Sequence, residues 1–245
     1  MKYELEVIAF DIESCKIASA FGADRIELCA NPNEGGTTPS YGMIAEARKE
    51  TKLQLFPIIR PRGGDFLFSD EEFNIMLQDI EVCRKLGADG VVIGMLKDDG
   101  SIDMDRCSKL ILAAEHMEVT FHRAFDRTNE LLASLEQVIL LGCNRILTSG
   151  LHPNVDLGID NLKLLVEKAS NRIIIMPGSG VRSNNIIELA KVTGAVAFHS
   201  SARKNISSKM QYINKSMNEE LLYSSLDPEE LTLIKKNLET FFTSK

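Results

Sequence analysis

Two arginines flank a proline ahead of a glycine pair in Arg60-Pro61-Arg62-Gly63-Gly64, inside the run FPIIRPRGGDFLF. The run opens as a buried strand, with Leu53, Leu55, Phe56, Ile58 and Ile59 apolar and no helical gap. Pro61 has no N–H for a ladder and fixes its own φ. Gly63 and Gly64 admit backbone conformations closed to other residues. Two guanidiniums beside free N–H groups, where a strand leaves a sheet, suit a planar anion such as a carboxylate or phosphate. The competing reading is a strand-ending loop whose arginines pair with carboxylates of the protein itself. A second anion site is expected where Met176-Pro177-Gly178-Ser179-Gly180 and His199-Ser200-Ser201 end two later strands. Gly178 and Gly180 would let a phosphate approach backbone N–H groups, and Thr148-Ser149-Gly150 adds hydroxyls. A plain strand-to-helix turn accounts for the same glycines.

These groups need elements to position them, and the chain supplies a repeating pattern. Apolar strands are expected at 5–10, 25–29, 53–60, 90–96, 118–124, 145–149, 173–177 and 195–200. Amphipathic helices fit at 14–21, 41–50, 70–86, 103–115, 129–141, 161–170, 183–192 and 228–242. Glycines 22, 87, 142 and 194 close four helices just before the next strand, the usual C-terminal cap. Strands alternating with helices imply a parallel sheet with right-handed crossovers. Eight such units point to an α/β fold, a single (β/α)8 TIM-type barrel over residues 1–245. The alternative, an open doubly wound sheet, lacks its glycine fingerprint after the first strand. Segment 201–227 breaks the pattern and reads as a long loop or a short extra helix.

Alternation then says what faces the barrel interior. Ile26 and Leu28 should face the helices, so Arg25, Glu27 and Cys29 face inward; the same rule turns Glu6, Thr120, His122 and His199 inward. Charges in a barrel core must be paired or functional. Glu27 and His122, with His199 assisting, form a candidate proton-transfer set. The alternative is an Arg25–Glu27–Glu6 network at the barrel floor beside a satisfied buried histidine. A third chemistry is Cu(I) binding, for which Cys29 is the one inward thiol, with His122 or His199 as its partner.

Composition narrows the classes. The chain has 245 residues, is 44% hydrophobic and carries a net charge of −7, with no basic block to engage nucleic acid. Its apolar runs are strand-sized, too short to cross a membrane. The start MKYELEV carries acids where a signal peptide needs an apolar stretch, so a cytoplasmic location is expected. Five cysteines, an odd number without a CxxC pair, argue against a disulfide framework or zinc knuckle.

Several blocks carry a family resemblance: GADRIELCANPNEGGTTPS, PIIRPRGGDFLFS, VTFHRAFD, RILTSG, IMPGSGV and FHSSA, running from the second strand to the eighth. Together they resemble the CutC family. That resemblance implies a (β/α)8-type barrel, a homodimer, a cytoplasmic location and a role in copper homeostasis with copper binding. It carries over onto Glu27, Cys29, Arg60, Arg62, His122, Arg123, Asp126 and His199. The cysteines that many members have at the end of strand one are absent from residues 5–11, and Ser179 stands where alanine or glycine is common. An uncharacterised barrel enzyme acting on a small anionic or phosphorylated metabolite is the other reading of the same residues.

Overall fold

Side-chain alternation sorts the strand residues into two shells in the computed structural model, which describes residues 2–243. Eight parallel strands run in chain order: β1 (Glu4–Ala9), β2 (Arg25–Leu28), β3 (Gln54–Pro57), β4 (Gly90–Ile93), β5 (Glu118–Phe121), β6 (Arg145–Thr148), β7 (Ile174–Pro177) and β8 (Ala197–Ser200). They alternate with α1 (Ile12–Ala20), α2 (Tyr41–Glu50), α3 (Asp70–Lys85), α4 (Met104–Ala114), α5 (Leu131–Leu141), α6 (Ile159–Ala169) and α7 (Ile186–Thr193), and α8 (Pro228–Thr243) packs between α7 and α1. The ladders form two four-stranded runs, β3-β2-β1-β8 and β4-β5-β6-β7. A parallel bridge between Ile58 and Val92 joins the runs on one side, and β7 lies beside β8 on the other. The architecture is a (β/α)8 barrel.

The outer shell is the main apolar core. Leu5, Val7, Ile26, Leu28, Val91, Ile93, Val119 and Phe121 point from the strands into the buried faces of the helices. Inside the barrel the apolar residues form two small separate groups, Cys29-Phe56-Ile58-Val92 and Leu147-Met176-Ala197. Charge fills the space between them. Register sets Glu6 against Arg25 on one side and against His199 on the other. Arg25 donates from Nε to Glu6 Oε2 at 2.6 Å, and its guanidinium lies 3.3 Å from the centre of the Phe56 ring. Gly90 makes room for that ring, because a Cβ there would stand 2.0 Å from it. Below, Arg145 pairs with Glu4 and Glu118, so the barrel floor is a mesh of two arginines and three glutamates.

Two expectations change. The strands are shorter than the apolar runs that encode them; β3 ends at Pro57, which has no N–H to extend a ladder. Segment 201–227 holds the expected long loop, with a short 3-10 helix at Lys215–Met217, but on an unexpected antiparallel hairpin of β9 (Arg203–Ser207) with β10 (Leu222–Leu226). Leu222 and Tyr223, opposite Ser207 and Ile206, supply strand-forming side chains whose signal the surrounding Lys, Ser and Asn dilute.

Removing one partner of a buried ion pair leaves the other charge unpaired. Arg25→Leu should therefore cost about 3–5 kcal/mol of folding stability in urea denaturation. A midpoint equal to wild type would remove the Arg25–Glu6 pair from the determinants of this barrel.

Candidate functional site

Three acid–base groups meet where β1, β2 and β8 open into the barrel mouth. Glu6 is fully buried, Glu27 is 3% exposed and His199 is 7% exposed. His199 Nδ1 lies 2.7 Å from Glu6 Oε1, and its Nε2 faces Glu27 Oε2 at 3.7 Å. Burial would raise the Glu6 carboxyl, but the Arg25 guanidinium and His199 hold it down to about 2. For Glu27 burial prevails, over the opposing pull of His199, and lifts it to about 7. His199 is raised: burial opposes its charge, and the Glu6 hydrogen bond with the two carboxylates outweighs that. The result is a histidine whose charged form Glu6 favours, facing a carboxyl lifted to about 7. Arg25 bonds to Glu6 and not to Glu27, so of the expected Arg25–Glu27–Glu6 floor network only the Arg25–Glu6 part forms, and Glu27 lies beside His199.

His122 stands on the β5 side and has a different character. Its ring is 3% exposed and lies 4.8 Å from the Phe66 ring centre. The Ala124 N–H donates to its Nδ1 at 3.2 Å. Burial, then the Arg60 charge, push its pKa down to about 3. The side chain is a neutral imidazole with its proton on Nε2, which does not suit the proton exchange near neutrality expected of it beside Glu27. Gly94 is needed for this placement, since a Cβ there would stand 2.5 Å from the ring.

A cavity of about 830 Å³ opens above these groups and is lined by Glu27, His122, His199, Arg60, Arg123 and Phe66, among others. The structure redistributes the expected anion contacts around it. Arg60 is at the wall, but its guanidinium donates to the carbonyls of Glu34, Gly36 and Gly64. Arg62 is not in the lining; it bonds Glu72 and Asp65 and steadies the start of α3, where Ser69 and Glu72 form a capping box. Gly63 lets the Glu34 side chain pass, and Gly64 lines the cavity. Arg123 reaches the cavity while bonding Asp126 at 2.7 Å and Ser149 at 2.9 Å. Asp126 also collects the N–H groups of Ser149 and Leu151, so it fixes the loop after β6.

Gly178 spends its N–H on Thr148 O and serves close packing, its missing Cβ clearing Leu147 and His199. Ser200 is a buried brace, donating to Val181 O, and Ser149 is held likewise between Asp126 and the His152 carbonyl. Gly180 and Ser201 do line the cavity. Residues not singled out from sequence complete it. Arg127 stands over the Phe66 ring at 5.2 Å, and Arg203 enters from β9; neither has an ion-pair partner among the described residues. His152 is exposed and forms part of the rim.

Cys29 points inward, as alternation requires, but its surroundings do not fit Cu(I). The thiol is fully buried beside Phe56, Ile58 and Val92, under Gly36. Burial, then the Glu27 charge, raise its pKa well above the ordinary thiol value, and it donates to Glu27. No second thiolate accompanies it: the other four cysteines are buried elsewhere, three of them on helices. The one cluster of metal-ligating type among the described residues is Glu6, Glu27 and His199, an oxygen-rich set ill-suited to a soft ion. Both Glu6 oxygens are already engaged, by Arg25 and by His199.

Known proteins resemble the chain closely. A CutC family protein from Bacteroides thetaiotaomicron is 54% identical over 217 residues, 88% of this chain and 87% of that one. The human protein named copper homeostasis protein cutC homolog is 43% identical, over 87% of this chain and 78% of its own length. The solved structure of the putative copper homeostasis protein CutC from Streptococcus agalactiae superposes with a TM-score of 0.77 at 35% identity, covering 81% of this chain and 98% of that one. A thiamine phosphate pyrophosphorylase from Pyrococcus furiosus shares the fold alone, at 17% identity and a TM-score of 0.61 over 98% and 96% of the two chains. No described helix is long and apolar enough to cross a membrane. The family model of the CutC family matches residues 3–204 and stops inside β9, and on that match and those identities the chain belongs to the CutC family.

Proposed function

We propose that this chain is an enzyme that moves a proton on a small anionic metabolite held in the barrel mouth. The observation that carries the reading is the Glu27–His199–Glu6 array, with Glu27 poised at about 7 and opening onto the cavity. A general base or acid works best when its pKa lies near the working pH. Glu27 in its carboxylate form accepts the substrate proton, and His199, hydrogen-bonded to Glu6 and facing Glu27, stabilises that carboxylate. The two titrate as a coupled pair rather than as separate groups. Arg127 and Arg203, unpaired at the rim, favour an anion, and Arg123 adds a third guanidinium. The catalytic set thus sits at the carboxyl ends of the strands, where barrel enzymes place their chemistry.

Relatives bear copper homeostasis in their names. A copper role for this chain that ran through Cys29 would need a thiolate with a second soft ligand, and the surroundings of Cys29 argue for neither. The homodimer and cytoplasmic location implied by the family resemblance belong to this proposal as well, and light scattering should return twice the mass of one chain.

Screening small phosphorylated and carboxylated metabolites by NMR should find one that wild type converts, with Glu27→Gln slowed on the order of 10²- to 10⁴-fold at unchanged fold. A substrate converted equally well by Glu27→Gln would overturn the reading. Stability gives an independent check. Folded Glu27 titrates at about 7 instead of 4.5, so the native state holds the extra proton between those values. Its contribution is full below about 4.5 and is lost as pH rises through about 7. Glu27→Gln escapes that loss and should gain about 1–3 kcal/mol over wild type between about pH 4.5 and pH 8 in denaturant titrations. A gap that stays constant with pH would contradict the raised Glu27. In anaerobic competition against a strong Cu(I) chelator, Cys29→Ser should bind copper as wild type does; tight binding lost in the variant would restore Cys29 as a ligand.

A further inference from the structure

Most buried polar atoms find a partner, and four side-chain nitrogens among the described residues do not: Arg60 Nε, Arg84 Nε, His122 Nε2 and Arg145 Nε. Two of the four, on Arg60 and His122, belong to residues of the cavity wall. Both residues lie against the same ring: the Arg60 guanidinium is 4.8 Å from the Phe66 centre, and so is the His122 imidazole. Leaving a buried donor unsatisfied costs about 1–3 kcal/mol. Two such donors, on residues that share one ring and one polar cavity wall, are an arrangement that a ligand oxygen would complete.

The hydrogen bonding around each residue fixes which atom is left over. His122 Nδ1 accepts from Ala124 N–H, so a proton there would clash with that donor. The ring is therefore held as the Nε2–H tautomer and has no proton to accept in ordinary use. Arg60 anchors both terminal nitrogens on the carbonyls of Glu34, Gly36 and Gly64, which leaves Nε as its one nitrogen without a partner. Neither side chain can swing away without breaking those bonds. The proton-accepting array of Glu27 and His199 stands on β2 and β8, whereas the two orphan donors lie on β5 and just beyond β3.

We infer that His122 Nε2–H and Arg60 Nε–H form an oxyanion hole, and that the substrate is a small anionic carbonyl compound losing a proton from the carbon beside its carbonyl. The inference rests on the acid–base reading above and narrows it to one reaction class. Glu27 carboxylate takes the proton; the C–H electron pair becomes a carbon–carbon double bond, and the carbonyl π pair moves onto oxygen. That enolate oxygen receives two donors already fixed in place by the other bonds of their side chains. The proton then returns from Glu27 to carbon and the carbonyl re-forms, so no oxidant or second reactant is consumed. A neutral imidazole suits the donor role because it polarises the oxygen without surrendering its proton.

The test is solvent exchange. Wild type is incubated in heavy water with a panel of sugar phosphates, 2-oxo acids and hydroxy-ketone phosphates, and carbon-bound deuterium is read by mass spectrometry. The expected result is deuterium on the carbon next to the carbonyl of at least one compound. His122→Phe, which keeps a ring beside Phe66 but has no donor, should lower kcat for exchange on the order of 10²- to 10³-fold with KM little changed. His122→Gln, whose amide can donate, should recover part of that loss. Conversion of a metabolite without carbon-bound deuterium overturns the oxyanion hole and leaves the acid–base proposal standing. Wild-type inactivity towards every compound, in exchange and in conversion alike, overturns both. A readout independent of substrate guards against misfolding of the variants: nitrogen NMR of wild type should find His122 as the Nε2–H tautomer, unchanged between about pH 5 and pH 8. A His122 that titrates in that range, or carries its proton on Nδ1, refutes the inference.

Discussion

The ion pair between Arg25 and Glu6 sets the state of everything above it. A carboxylate with no exposure is sustainable only with a charge partner and hydrogen bonds. Arg25 supplies both, and is itself backed by the Phe56 face and by the Glu4–Glu118–Arg145 mesh. With Glu6 locked as an anion, His199 gains a proton and an orientation. With His199 charged, Glu27 keeps an accessible carboxylate form despite its burial. The order of dependence runs upward from floor to mouth, each group tuned by the one beneath it.

Space is managed as strictly as charge. The barrel interior has few branched apolar side chains of the usual kind. Two positions without a Cβ, Gly90 and Gly94, instead admit the Phe56 ring that Arg25 covers and the His122 ring that Phe66 covers. Both lie on β4 or directly after it, so this strand gives up side chains of its own to make room for those of its neighbours. The two apolar clusters lie within the same interior as the charged layer.

Much of this was legible in the residues. Repeating strand–helix units gave the barrel, and two-residue alternation correctly turned Glu6, Arg25, Glu27, Cys29, His122 and His199 inward. What alternation cannot supply is distance between strands far apart in sequence. It did not separate Glu27, which looks up to His199, from Glu6, which looks down to Arg25. Nor did it reveal that the Arg60 and Arg62 guanidiniums, two residues apart, part company, one to the cavity wall and one to the start of α3. Glycine-rich turns were read as phosphate cradles, yet Gly63 and Gly178 serve side-chain clearance, a need set by residues elsewhere in the chain. The hairpin escaped notice because its strand signal is only a few side chains deep.

That hairpin has a consequence for how the protein diverges. The family match ends as β9 begins, while Arg203 on β9 reaches the cavity rim. Arg203 is therefore inside the match, which stops at residue 204, and the rest of the hairpin lies beyond it. The hairpin forms its own ladder, and most of its side chains are exposed. Insertions, deletions and substitutions there leave the buried charge layer untouched. Change at the exposed positions of this appendage can therefore reshape the rim without altering Glu6, Glu27 or His199.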